Sequence, residues 1–381
     1  MRFNSNRGSE MMREITIAKV ITSKRKEKGI TQDKLAEYIG VSKASVSKWE
    51  TAQSYPDITF LPRLAAYFNI SIDELIGYLP QMTKEDINKT YQHLAAEFSR
   101  KPFDEILDEC RSVIKKYYAC FPLLLRMAVL LLNHYMLEKE KEKQEGLLQE
   151  ICELLARIKT ESDDVWIVNQ ANSLEALCRI SMNQPIEALE LLDESMKPPI
   201  SDNFLIAQAY QMTGNIEKAK SALQVSIYQH LGGLLGPAHS YLLLIADQPE
   251  KFEQAFERFI QIAKIFEVEK LNPNSLCLLY LAAAQGYTMQ NSLDKAFKML
   301  ENYSYICTTS LLPYKLKGDT FFDRIDNWLK DYDVDAPRDE KIIKESIVQS
   351  VTENPGFLPL HDEPKFQSIV DKLKWNLGVK Y

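Results

Sequence analysis

Five residues carry chemistry at a telling spacing: Lys43, Ala44, Ser47, Lys48 and Thr51. At about 100° per residue they share one arc of a helix, with Ser42, Ser45, Val46 and Trp49 on the opposite arc. Two cations among short side chains suit a polyanion. Short side chains let a helix backbone sink into a duplex major groove, about 12 Å wide, where lysine reaches base edges or phosphates. No rival chemistry competes. The chain holds no G-x-x-x-x-G-K-[ST], H-E-x-x-H or G-x-S-x-G. His93, His134, His230, His239 and His361 lack ligand spacing. The expectation is a non-enzyme with no metal and no cofactor.

Such a strip needs neighbours to hold it. TQDKLAEYIGVSKASVSKWE, residues 31–50, sets two helical patterns around Gly40. Gly40 suits the left-handed backbone that reverses the chain. Ser42 suits the cap of the second helix, and Val46 with Trp49 would anchor that helix in a core. The wider patterning predicts five short helices, at 17–28, 31–39, 42–51, 58–68 and 71–77. Gly29, Gly40, Pro56, Asn69 and Gly77 separate or end them. Residues 1–14 have no apolar period and are expected to be disordered; Met12 is a second candidate start beside Met1. Residues 79–84 read as a linker around Pro80, and Thr83 as an N-cap with Glu85 and Asp86 in the first turn that follows.

GITQDKLAEYIGVS, SVSKWE, Pro56 and LPRLAAYFNISIDELIG together resemble the Xre/Cro-type helix-turn-helix, over about residues 15–78. The resemblance implies DNA binding and a set of roles. Thr31 and Gln32 would meet phosphates through side chain and backbone N–H. Lys43, Ala44 and Lys48 would face bases, flanked by Ser42, Ser47 and Thr51. Arg25 and Glu50 match an internal salt bridge between the first and third helices. Lys24 departs from the usual apolar residue. Ala44 and Lys48 stand where glutamine or asparagine often reads adenine, so the operator sequence stays open: Ala44 suits a thymine methyl, Lys43 or Lys48 a guanine or a phosphate.

From residue 85 to 381 only helical periodicity appears, in segments of about 12 to 20 residues. Ala176, Ala207 and Ala284 each stand twelve residues before Ala188, Ala219 and Ala296, and Tyr210 and Tyr287 nine before the last two. Ala255 marks a degenerate copy. Small residues let neighbouring helices approach, and a ring fills the space beside them. The pattern resembles the tetratricopeptide repeat, a helix–turn–helix unit of about 34 residues. That implies an all-α chain: a five-helix head followed by a tetratricopeptide-like α-solenoid with a concave groove. Joined to an Xre-type head, the body is similar to the RNPP peptide-pheromone receptors. This implies a re-imported short peptide in the groove and a part in quorum sensing. Asn169, Asn172, Gln208, Tyr210, Gln211 and Tyr241 are the candidate contacts. The alternative is a docking scaffold for a protein partner, with no small ligand.

The bulk properties agree. A length of 381 residues suggests two or three domains. Net charge is −7, but residues 1–79 hold twelve Lys and Arg against nine Asp and Glu, a balance of +3. The remainder holds 34 against 44, a balance of −10. A mildly basic head on an acidic body fits a DNA reader joined to a domain with another task. Six scattered cysteines without a C-x-x-C pair read as buried free thiols. The apolar runs 120–137 and 221–246 read as core helices; the second is expected to turn at Gly232-Gly233. No secretory leader is read. The expectation is a cytoplasmic homodimer on an inverted-repeat operator, away from membranes.

Overall fold

The computed structural model describes residues 17–77, 81–192, 202–331 and 336–379. The expected N-terminal extension and Leu79-Pro80 of the expected linker lie outside these residues. Every regular element among the described residues is helical.

Five α-helices open the chain: α1 Ile17–Glu27, α2 Gln32–Ile39, α3 Lys43–Glu50, α4 Leu61–Phe68 and α5 Ile72–Ile76. All five expected helices are present. One begins differently: a 3-10 turn over Ile58–Phe60 precedes α4. Pro62, in the first turn of α4, has no N–H to bond back to Ile58, so the α-helical ladder cannot start there. The ends are chemically marked. Thr31, Ser42 and Ser71 each accept the backbone N–H of the residue three along, Lys34, Ser45 and Glu74. Gly40 closes α2 at φ +82°, and its N–H and that of Val41 bond Ala36 O.

These helices share one hydrophobic core, all of whose members lie between Ile17 and Ile76. Ile21, Leu35, Ile39, Val46, Leu64 and Leu75 are fully buried. Trp49 is 4% exposed, with its ring 6.0 Å from that of Phe60. Burying a large side chain of this kind stabilises by about 2 kcal/mol.

The rest of the chain runs through α6 Lys84–Glu97, α7 Phe103–Lys116, α8 Phe121–His134, α9 Lys141–Glu161, α10 Val165–Ser181, α11 Pro185–Leu192, α12 Asp202–Met212, α13 Ile216–Leu235 and α14 Ala238–Leu244. There follow α15 Pro249–Ile265, α16 Val268–Leu271, α17 Pro273–Met289, α18 Leu293–Thr309, α19 Asp326–Asp331, α20 Glu340–Thr352 and α21 Pro364–Leu377. Thr83 accepts Asp86 N–H at 3.1 Å and caps α6 as expected. One expected break is absent: α13 runs through Gly232-Gly233, as α9 runs through Gly146. A glycine inside a helix costs only about 1 kcal/mol. Pro237, which cannot donate to the ladder, ends α13 instead.

The chain divides into two compact units. One comprises the described residues up to Tyr91 with Leu107–Leu131 and Leu148–Asn183. In it α8 is a core helix as expected: Leu123, Leu124, Met127 and Ala128 are buried, and the Arg126 guanidinium lies over the Tyr91 ring at 4.2 Å. The other comprises Gln92–Ile106, Leu132–Leu147 and the described residues from Gln184 onward. There α12 packs on α13, and α17 on α18. Ala207 and Ala219 are buried in the first pair, Ala284 and Ala296 in the second. Gly286 lies so close to Phe252 that an added Cβ would come within 2.3 Å of Cε2. All six cysteines are free and buried. No described helix is long and apolar enough to cross a membrane.

Candidate nucleic-acid interface

Helix α3 is held from behind. Val46 and Trp49 point into the core, and Glu50 ties the helix to α1. Arg25 Nε donates to Glu50 Oε1 at 2.5 Å and Nη2 to Oε2 at 3.0 Å; Nη1 donates to Ile30 O at 2.8 Å. The Glu50 side chain is 6% exposed and that of Arg25 14%. Burial pushes the Glu50 carboxyl up, but hydrogen bonds from Arg25 and Gln32 outweigh it and hold the group below the usual glutamate range. The same bond raises Arg25. The expected pair is therefore in place. The unusual Lys24 is accommodated as well, with Nζ 3.3 Å from Glu74 Oε1 on α5.

On the outward side Lys43, Ala44, Lys48 and Thr51 are exposed and Ser47 half-buried. Ser42 is exposed at the cap, its Oγ also 2.9 Å from Ser45 Oγ. Thr51 Oγ1 donates to Ser47 O at 2.9 Å. Lys48 makes no side-chain pair among the described residues. Thr31 uses its oxygen as the α2 cap, which leaves its O–H free to donate. Gln32 is only partly available: its Nε2 donates to Glu50 Oε2 at 2.8 Å. Its backbone N–H stands at the first turn of α2, where helix N–H groups suit a phosphate.

One further partner had no signal in the sequence pattern. Lys43 Nζ lies 2.7 Å from Asp33 Oδ2, and both side chains are about 60% exposed. The two residues stand ten apart across the turn at Gly40, a separation no helical period marks.

The six candidate ligand contacts fall into groups. Asn169 and Asn172 share α10 in the first unit; Asn169 is exposed, and Asn172 Oδ1 accepts from Lys159 Nζ at 3.2 Å. In the second unit Gln208 and Gln211 are exposed on α12, while Tyr210 is half-buried with Lys218 Nζ 5.4 Å from its ring centroid. Tyr241 is exposed on α14. Helix α12 buries little beyond Ala207, and Phe204, Leu205 and Ile206 are each about half exposed. Three of the five histidines make local contacts: His134 stacks on Phe98 at 4.3 Å, and His230 and His239 bond carbonyls of the preceding turn.

Comparison with known proteins bears on the first part of the chain. The helix-turn-helix family profile matches residues 21–75. The transcriptional activator BcrR of Enterococcus faecalis is 40% identical over 53 residues, which are 14% of this chain and 26% of that protein. The chain thus spans about a quarter of the length of BcrR. The transcriptional regulator SinR of Bacillus licheniformis is 34% identical over 99 residues, covering 24% of this chain and 89% of SinR. Among solved structures, the apo form of the competence regulator ComR from Streptococcus vestibularis aligns with 84% of this chain and 99% of its own. The identity is 12% and the TM-score 0.26. A superposition that loose carries no argument about function.

Proposed function

This chain belongs to the helix-turn-helix (Xre-type) transcriptional regulators, and on that premise we propose that Thr31, Gln32, Ser42, Lys43, Ala44, Ser47, Lys48 and Thr51 form its duplex-contacting face. The observation that carries this reading is α3 itself: Trp49 and Val46 hold its back in the core, while lysine and small residues stand outward. Residues 15–78 act as the reading head, 79–84 as a linker, and 85–381 as a tetratricopeptide-like domain for dimerisation and sensing. Two heads bind an inverted-repeat operator as a homodimer, with recognition helices about 34 Å apart. The protein works in the cytoplasm.

A short peptide is the proposed ligand. Support comes from the buried alanines of the α12–α13 and α17–α18 pairs, which give the close packing such repeats need. Further support is the exposed apolar and amide surface of α12, which offers pockets for side chains and donors for a peptide backbone. A ligand that binds one dimer arrangement more tightly shifts the spacing of the heads. A second reading, a docking scaffold, is favoured by a different feature. An open cleft is lined by Glu250, Glu253, Glu257 and Lys295, a charged surface suited to a protein partner.

Genomic footprinting with and without culture supernatant from the same cells tests both. Supernatant-dependent occupancy supports the peptide. Occupancy that ignores supernatant, yet changes with a co-purifying protein, supports the scaffold. No occupancy of discrete duplex sites in either condition overturns the assigned face.

A further inference from the structure

The Asp33–Lys43 pair sits on the proposed reading face, and its charge makes little sense there as simple decoration. Asp33 belongs to the first turn of α2, beside Thr31 and Gln32, where a phosphate is expected. A carboxylate at that place repels the duplex backbone. Lys43 is the first residue of α3, and a cation near a helix N-terminus is locally disfavoured. The 2.7 Å contact answers both problems at once. An exposed pair of this kind adds little to stability, so its consequence lies in what the two groups do when a duplex arrives.

We propose that Asp33 is a specificity-determining residue. It holds the Lys43 ammonium over the base edges and denies it to the phosphates. In the major groove the ammonium suits the O6 and N7 acceptors of guanine. A duplex lacking an acceptor at that position leaves Asp33 facing the backbone with its partner poorly placed. Discrimination then arises from a repulsive element as much as from an attractive one. Thr31, Gln32 and Lys48 remain to supply backbone affinity. This rests on the duplex-contacting face proposed above.

The test uses full-length protein and a duplex library with a randomised core. Selected sequences, affinity for the selected and random pools, and the dependence of log K on log salt are compared for wild type, Asp33→Asn, Asp33→Ala, Lys43→Ala, Lys48→Ala and the Asp33→Ala/Lys43→Ala double variant. With Asp33 neutralised, Lys43 turns to a phosphate. Affinity for the random pool should rise about threefold or more, and the salt slope should steepen by about 0.9. The selected consensus should lose information at one position per half-site. Lys43→Ala should lose the same position without changing the slope, and the double variant should select the same sequences as Lys43→Ala but bind more tightly, because the unpaired carboxylate is gone. The inference is overturned if both Asp33 variants select and bind as wild type while Lys43→Ala flattens the slope by about 0.9, the mark of a plain phosphate contact. If Lys43→Ala and Lys48→Ala each bind as wild type, the face assignment itself falls.

Discussion

Glu50, the last residue of α3, is clamped to Arg25 of α1 by two hydrogen bonds of 2.5 and 3.0 Å, and Gln32 adds a third at 2.8 Å. Three helices thus meet at one carboxylate. That junction, together with the core beneath Trp49, fixes the orientation of α3 within the head.

Removing the carboxylate should loosen the head. Glu50→Ala leaves the Arg25 guanidinium without its main partner in a mostly buried place, which costs about 3 kcal/mol. Hydrogen exchange of the full chain should show faster exchange in α1 and α3, with α17 and α18 unchanged. The pH dependence has a definite sign. The Glu50 pKa is depressed in the folded state, so its contribution is fully present above the ordinary glutamate value, about 4.3. It is lost as pH falls through the lower folded value. Wild-type protection in α1 and α3 should decline over that acid window, and Glu50→Gln should remove most of this dependence. An acid profile shared by wild type and Glu50→Gln would refute the assignment.

Gly286 tests the packing of the second unit. A Cβ there would come within 2.3 Å of Phe252 Cε2 and 2.4 Å of Cζ. Phe252 is fully buried and packs edge-on against Tyr287 at 5.1 Å, so its ring has little room to retreat. Gly286→Ala should destabilise the unit by about 1–3 kcal/mol. Phe252→Leu in the same chain should restore part of the loss, because a smaller side chain admits the methyl. Denaturant unfolding of the single and double variants measures this; an additive double variant would show that the two residues do not compete for one space.

The head was largely legible because its signals are local. Thr31, Ser42 and Gly40 act within four residues of themselves, and the burial of Val46 and Trp49 follows from helical period alone. The pairing of Arg25 with Glu50 came from family resemblance, since 25 residues separate them. Asp33–Lys43 and Gln32–Glu50 were not legible: both depend on side-chain rotamers across a turn, which no periodicity encodes. In the body, small buried residues such as Ala284 and Ala296 were readable as packing positions. The contacts that fix helices in place were not. Ser221 Oγ donates to Arg324 O across 103 residues, and Gln224 Nε2 donates to Asp323 Oδ1 across 99. The turn after α13 was misplaced because paired glycines look like a break while Pro237 enforces one.

Lys43→Ala combined with Lys48→Ala should abolish operator binding and leave the fold intact. A lysine contact to a base at Lys43 is worth about 1–3 kcal/mol, and losing the backbone contact of Lys48 with it weakens binding about 100-fold or more at physiological salt. Neither lysine contributes to the core, and circular dichroism and thermal unfolding should match wild type. Unaltered footprinting by the double variant would refute the outward strip as the reading surface.

Separating the head from the body tests the dimer. The head has its own closed core, with members only between Ile17 and Ile76, so residues 12–79 should fold when expressed alone. A single head contacts one half-site. In the proposed homodimer the second head, joined through the body, binds as an intramolecular event at an effective concentration near the millimolar range. Removing residues 80–381 should therefore weaken operator affinity by about 10²-fold or more, while affinity for one half-site stays the same. Full affinity from residues 12–79 would mean that the heads need no partner, and the body would have to act on transcription by a route other than holding two recognition helices one turn apart.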